Sequence, residues 1–522
     1  MKLSYKRTIL VGFAFFLISA FWQAYDATIP VILTNKFGMN QTLSGVIMAL
    51  DNILALFMLP LFGALSDKCR SRHGRRTPYI TIGCVFAAVA LVCLSFVDNA
   101  QLKNLSDAAK IDDPAALTVV YQDQADAKLL TPQGEEFVLA EKFSEEEFTS
   151  ITSKIPDTSE GAAEGATVSN PDYTKYVVPA RQAYAAGVTA ENPMPLILFV
   201  VLLLVVLVSM ATFRSPAVAL MPDVTMKPLR SKANAVINLM GTAGGILVLV
   251  LGIVFATSSV KNSMMSYTVF YMVIAGIMLT ALAIFLLTVR EPLWARQMRE
   301  DSIRYGVEEE EETSKEEKRG LTPGQKRSLL LILASIALWY FGYNAVTSKY
   351  SVYAGNILHK DYNTTMLLAQ GAAIVAYLPA GMVATKIGRR KTILAGVVML
   401  AAAFGSAALM TAESPTWLMN VLFGLAGIAW ATINVNSFPM VVEMCSGSDI
   451  GKYTGYYYTA SMAAQIATPM LSGLLMDQMG MTVLFPYAAV FVALAFVTMF
   501  CVRHGDAKPQ AKRGLEALDI DD

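Results

Sequence analysis

Gly63-Ala-Leu-Ser66-Asp67-Lys-Cys69-Arg70-Ser-Arg72-His-Gly74-Arg75-Arg76-Thr-Pro78-Tyr79-Ile80 is the stretch on which the reading of this chain turns. Five cations, Lys68, Arg70, Arg72, Arg75 and Arg76, crowd into it, and charge nearly stops on either side. Residues 43–65 carry one charged side chain, Asp51, and residues 78–97 carry none. Crossing a bilayer takes about 20 apolar residues at 1.5 Å of rise each. The stretch therefore reads as a basic loop between two membrane helices.

The same alternation repeats outward from it. Apolar blocks fall at 8–34, 43–65, 78–97, 194–221, 232–257, 265–289, 327–356, 364–384, 391–411, 415–442, 453–475 and 481–502. Of the 522 residues 55% are hydrophobic and only 16% charged, with a mean hydropathy of +0.48; soluble chains carry about 25% charged residues. The expected fold class is an all-α membrane protein with twelve transmembrane helices in two six-helix halves. No nucleic-acid partner is implied, because the cations sit in short inter-helix loops and the formal net charge is zero.

Loop charge sets the expected orientation. One set of connections holds Lys68 to Arg76, then Lys227, Arg230 and Lys232, then Lys386, Arg389, Arg390 and Lys391. The N-terminal Lys2, Lys6 and Arg7 and the C-terminal Lys508, Lys512 and Arg513 fall on the same side. The opposite set has scattered cations such as Lys36, Lys261 and Lys360. The positive-inside rule then puts both termini in the cytosol of a cell-membrane protein. The first block lacks a small-residue cleavage site and reads as a retained helix.

The expected units are residues 1–97 with helices 1–3, an extracellular insertion at 98–193, helices 4–6 at 194–290, a cytosolic linker at 291–326, the second half at 327–503 and a cytosolic tail at 504–522. The insertion holds 17 acidic against 7 basic residues, with strand-like alternation at Leu117–Tyr121 and Phe137–Ala140. A small ordered cap and a flexible tether both fit it. None of the five cysteines (Cys69, Cys84, Cys93, Cys445, Cys501) lies in it, so no disulfide framework is read. The halves look like a repeat. Gly63-x-x-x-Asp67 with Gly74-Arg75-Arg76 matches Gly381-x-x-x-Thr385 with Gly388-Arg389-Arg390. Asp223 and Lys232 match Glu443 and Lys452 at a constant offset of 220 residues.

With these residues the chain resembles the major facilitator superfamily. The Gly63–Ile80 text is similar to the loop of sucrose-type carriers, near the glycoside–pentoside–hexuronide cation symporters. Ser215-Pro216-Ala-Val-Ala219-Leu220-Met-Pro-Asp223-Val224 resembles their helix 4 exit. The resemblance implies a major facilitator fold and alternating access. It also implies an inner-gate network of Asp67, Arg75, Arg76, Asp223, Arg389, Arg390 and Glu443, although the arginines could serve topology alone. Arg214 stands where melibiose-type relatives have a cation-binding acid, and their paired acids low on helix 2 are missing; Asp51 sits about a turn higher. That favours a proton over sodium. Thr385 replaces the acid expected in the second loop.

A charged group inside a membrane helix is costly and by default marks a pathway. Asp26, Asp51 and Arg214 qualify in the first half. Rise arithmetic puts Arg214 roughly 13 Å, Asp51 roughly 24 Å and Asp26 roughly 27 Å from the basic end. The competing reading for Asp26 is an interfacial cap, against which Pro30 and Val31–Leu33 continue the apolar block. Both Asp are candidates for cation coupling, Asp26 favoured. Polar and aromatic side chains recur at helical spacing: Trp22, Gln23 and Asp26 on helix 1, Asn234, Asn238 and Thr242 on helix 5, Tyr340, Tyr343, Asn344 and Thr347 on one face of helix 7, Trp430, Asn434 and Ser437 on helix 10, and Tyr458, Ser461 and Gln465 on helix 11. Of these, with Arg214, the candidate substrate-binding set is Trp22, Gln23, Arg214, Asn238, Tyr340, Tyr343, Asn344, Trp430, Asn434, Tyr458 and Gln465. Sugars offer hydroxyls to amides and C–H faces to rings, and such a set supplies both. Helix–helix glue is the competing role for each residue. His73, His359 and His504 are isolated in loops, and no metal cluster, nucleophile triad or phosphate loop is apparent. The expectation is thus no enzyme and no cofactor, but a monomeric proton-coupled symporter of a glycoside such as a disaccharide. The alternatives are an exporter of drugs in the same fold and a non-transporting solute sensor.

Overall fold

The computed structural model describes residues 3–157, 165–226, 229–304, 322–442, 444 and 450–504. Twelve long helices run through them: α1 Tyr5–Asn35, α2 Gln41–Asp67, α3 Thr77–Leu105, α4 Met194–Val224, α5 Arg230–Val254, α6 Thr268–Thr288, α7 Pro323–Tyr353, α8 Tyr362–Ile387, α9 Arg389–Ala407, α10 Thr416–Val442, α11 Ile450–Met479 and α12 Leu484–Phe500. By length and composition ten of these suffice to cross a membrane within their described residues. The other two, α8 and α11, pack against α10, α5 and α2, α7 respectively. Polar caps set the starts: the Asn40 side chain accepts from Leu43 N–H, Asp361 from Thr364 N–H, and Thr322 forms a capping box with Gln325.

Each half has its own apolar core, one centred on Phe21, Phe199, Phe213 and Tyr271, the other on Trp339, Tyr350, Phe404 and Phe485. The packing repeats between halves. Helices α1–α5, α3–α4, α2–α4 and α3–α6 touch in the first, and α7–α11, α9–α10, α8–α10 and α9–α12 in the second. Between halves the main contacts are α2–α11 and α5–α8, which exchange under the same correspondence. A Cβ added at Gly45 of α2 would overlap the Pro469 carbonyl of α11, so this crossing needs glycine.

Helix α3 differs from the sequence boundary. It continues eight residues past 97, through Asp98, Asn99, Gln101 and Lys103, whose polarity reads as loop. Asp98 is fully buried against Lys36, whose Nζ donates to both carboxylate oxygens at 2.6 Å and to Met265 C=O at 2.7 Å. Lys36 is therefore no solvated loop cation: a buried charge is tolerated because it is paired and fully hydrogen-bonded.

The described residues of the insertion form a cap with a core of Leu117, Leu139, Phe148, Tyr173 and Val177. Leu117–Tyr121, strand-like in sequence, lies in a helix, Pro114–Gln124. Asp113 caps that helix and Pro114 opens it, which outweighs the alternation. Phe137–Ala140 is split between a strand, Glu136–Val138, paired with Lys128–Leu130, and the start of a short helix, Leu139–Lys142. The other described hairpin pairs Lys154–Pro156 with Thr167–Ser169. In the linker, Glu291–Arg304 is helical. Its Trp294 packs under the Arg7 guanidinium, 5.4 Å from the ring centre. His504 is exposed, and its ring shares a hydrogen bond with Ser328 at 2.9 Å.

Candidate functional site

Between the halves lies a cavity of about 950 Å³. Trp22, Gln23 and Asp26 reach it from α1, Arg214 from α4, and Asn234, Asn238 and Thr242 from α5. The second half supplies Tyr340, Tyr343 and Thr347 from α7, Trp430 and Asn434 from α10, and Tyr458 from α11. Residues scattered over more than four hundred positions thus meet because the helices stand side by side with polar stripes inward. Tyr343 stacks face to face on Trp430 with centroids 3.6 Å apart and rings 5° from parallel, and Tyr340 meets Trp430 edge-on at 5.3 Å. Arg214 lies over the Trp22 ring at 5.7 Å, a cation–π distance.

Three of the expected residues are elsewhere. Asn344 does not line the cavity, and its buried Nδ2 has no partner among the described residues. At roughly 100° per residue, Tyr343, Thr347 and Tyr340 span a face about 60° wide, and Asn344 falls about 40° beyond Tyr340, at its edge. Gln465 sits two turns beyond Tyr458, roughly 10 Å further along α11, where the halves have already closed. Asp51 also lies outside the lining. It accepts from Asn52 at 2.8 Å and is an electrostatic neighbour of Arg214.

The structure adds Gln370 and Tyr377 of α8 to the lining. Gln370 Nε2 donates to Gln23 Oε1 at 2.5 Å, and Gln23 Nε2 donates to the Tyr362 hydroxyl at 3.2 Å. This chain of amides crosses from one half to the other. In sequence Gln370 is a single amide in an apolar block; its only signal is that isolation, since an amide in a membrane helix needs a partner.

At the basic end a charge network joins the α2–α3 loop to the end of α4 and the start of the linker helix. Asp223 accepts from Arg75 at 2.6 and 3.1 Å and from Arg76 at 2.8 Å. Arg76 also pairs with Asp67. The hydrogen bond that Arg75 donates to Asp223 raises the Arg75 pKa above its ordinary value. Glu291, not among the expected residues, completes the network. Its buried carboxylate accepts the backbone N–H groups of Arg75, Arg76 and Thr77 at 2.8–2.9 Å and the Thr77 hydroxyl at 2.7 Å. It caps α3 from another helix, at the dipole end that favours an anion. Gly74, at φ +110°, is needed there because a Cβ would overlap that carboxylate. In the second half Arg389 is buried and lines the cavity, and Arg390 donates to the Phe500 carbonyl at 2.5 Å. Glu443 lies outside the described residues.

The Major Facilitator Superfamily model matches residues 11–105 and 360–519. The chain belongs to the Major Facilitator Superfamily. This facilitator is therefore a multi-pass membrane transporter by family. An MFS-type transporter, ppzB, of Metarhizium majus is 29% identical over 124 residues, 24% of this chain and 26% of that protein. The sucrose transport protein SUT1 of Oryza sativa subsp. japonica is 30% identical over 94 residues, 18% of this chain and 17% of that protein. The aligned part thus spans about a quarter or less of these relatives' length. The fold of the facilitator is similar to the inward open xylose transporter XylE from E. coli, with a TM-score of 0.58, 15% identity and 98% of both chains covered. It is also similar to a D-xylose-proton symporter, with a TM-score of 0.57, 14% identity and 96% and 98% covered.

Proposed function

We propose that this facilitator is a proton-coupled symporter of a glycoside such as a disaccharide, working by alternating access as a monomer in the cell membrane. In this reading both termini are cytosolic, and the cap is extracellular. The observation that carries it is the composition of the cavity wall: the stacked Tyr343–Trp430 pair beside Asn238, Asn434, Gln23 and Gln370, with Asp26 on the same wall. A sugar needs ring faces for its C–H surface and amides for its hydroxyls. A drug exporter needs the first and not the second. The sucrose and xylose-proton transporters among the similar proteins support the substrate class. A cavity of this size accommodates a disaccharide.

Coupling is assigned to Asp26, the carboxylate that lines the cavity, with Asp51 as the control because it does not. Arg214 joins the substrate wall over Trp22, where its planar fork can meet paired hydroxyls. The test is uptake of a sugar panel into proteoliposomes under separate proton and sodium gradients. The expected result is glycoside accumulation driven by the proton gradient alone. Asp26→Asn is expected to keep exchange and lose accumulation. Accumulation of no sugar under either gradient overturns the substrate reading, and full accumulation by Asp26→Asn overturns the coupling role.

A further inference from the structure

The cap belongs to one half by covalent structure and packing. Helix α3 runs into it without a break; Gln101 of α3 donates to Thr189 at 3.0 Å, and Gln182 donates to Asn35 of α1 at 2.8 Å. Its other side meets the second half. The Thr131–Gly134 turn lies on the α11–α12 junction, where Met481 N–H donates to the Pro132 carbonyl at 2.7 Å. Gly134 and Gly480 both have positive φ, 89° and 87°, and their backbones touch so closely that a Cβ on Gly480 would overlap the Gln133 carbonyl. Tyr173–Val177 of the cap also packs on Ala354–Leu358 at the end of α7.

The same junction is held from a second side. Three residues before Gly480, Asp477 accepts from the Gln41 and Thr42 N–H groups at 2.8 and 2.7 Å and from the Thr42 hydroxyl at 2.5 Å. The segment Asp477–Met481 is thus gripped by α2 beneath and by the cap turn above. Any motion that parts α2 from α11 at this end must peel the turn away.

We propose that the insertion is a strap: fixed to the first half, hydrogen-bonded across to the second, it biases the facilitator toward the state in which the cap end is closed. One backbone hydrogen bond and a glycine–glycine contact suit such a part. They shift a two-state equilibrium by about tenfold, enough to bias it and weak enough to release in each cycle. The inference does not depend on the identity of the substrate.

The experiment reads closure directly and needs no substrate. Thr347→Cys in a cysteine-free background places a thiol in the cavity, and a membrane-impermeant maleimide is added on the cap side of sealed vesicles. In one arm Gln133→Cys and Thr482→Cys, both exposed, are joined by a short cleavable cross-linker before Thr347→Cys is unmasked. Cross-linking is expected to suppress cap-side labelling, and cleavage to restore it. In the other arm Gly134→Val, which cannot hold φ +89° against Gly480, is expected to raise the labelling rate several-fold, up to about tenfold. An unchanged rate in either arm overturns the strap. Should Gly134→Val fail to insert, the cross-link arm decides alone.

Discussion

The two ends of the bundle are held by different kinds of bond. At the basic end Arg75, Arg76, Asp67, Asp223 and Glu291 form ion pairs and caps that tie the α2–α3 loop to α4 and the linker helix. At the cap end, uncharged donors and single charges join one half to the other. Lys349 Nζ donates to the Gln41 carbonyl at 2.6 Å, Asn363 donates to Thr257 and Ser258 at 3.0 and 2.9 Å, and Asp477 accepts from α2. Within the cavity wall itself, Gln370 of the second half donates to Gln23 of the first. The lesson is that opposite charges paired with one another stiffen the basic end, while at the cap end the halves meet through hydrogen bonds to backbone and neutral side chains, even where the partner is a single charge such as Lys349 or Asp477. A buried charge is expensive to leave unpaired, and Arg76 and Glu291 are both buried and both paired or capped. Hydrogen bonds of this kind exchange for water at small net cost, which suits the opening proposed for the cap end.

The largest expected effect is at the basic end. Asp223→Lys removes the partner of two arginines, one of them buried, and adds a like charge. A loss of about 3–5 kcal/mol is expected, read as loss of folded, monodisperse protein on heating in detergent. A variant as heat-stable as the parent breaks the view that this network holds the half together. Glu291→Gln keeps the shape and removes the charge from the α3 cap, for an expected cost of about 1–3 kcal/mol in the same assay.

The cap end should respond in closure rather than stability. Asp477→Asn loses a charge-assisted cap on α2 and is expected to speed cap-side labelling of a cavity cysteine roughly tenfold, with a smaller change in melting than Asp223→Lys. Equal loss of stability in both variants erases the distinction between the two ends. The smallest effect is expected for Gln370→Ala, which cuts the amide chain to Gln23: about 0.5–1.5 kcal/mol, a few-fold rise in labelling. If Gln370→Ala also weakens glycoside binding, the amide serves both substrate and closure.

Much of the wall was legible before any coordinates. Tyr340, Tyr343 and Thr347 read as one helical face and are one, because period alone sets which side chains share a side. Asn344 failed the same test by lying at the edge of the stripe, which spacing cannot resolve without knowing where the neighbouring helix sits. Glu291 was invisible because its role is to cap a helix more than two hundred residues away. Lys36 and Asp98 read as loop polarity, since nothing local says that two such residues will find each other in a dry place.

What the sequence by itself determined is therefore the set of helices, their division into two halves and the polar stripes that face inward. These follow from hydropathy, helical period and charge placement, all local quantities. What only the tertiary structure decided is which polar groups meet: Gln23 with Gln370, Asp477 with the start of α2, the cap turn with Met481. Hydrogen bonds act over about 3 Å and a sequence carries no distances, so these partnerships exist only once the apolar faces have packed and brought the helix ends together.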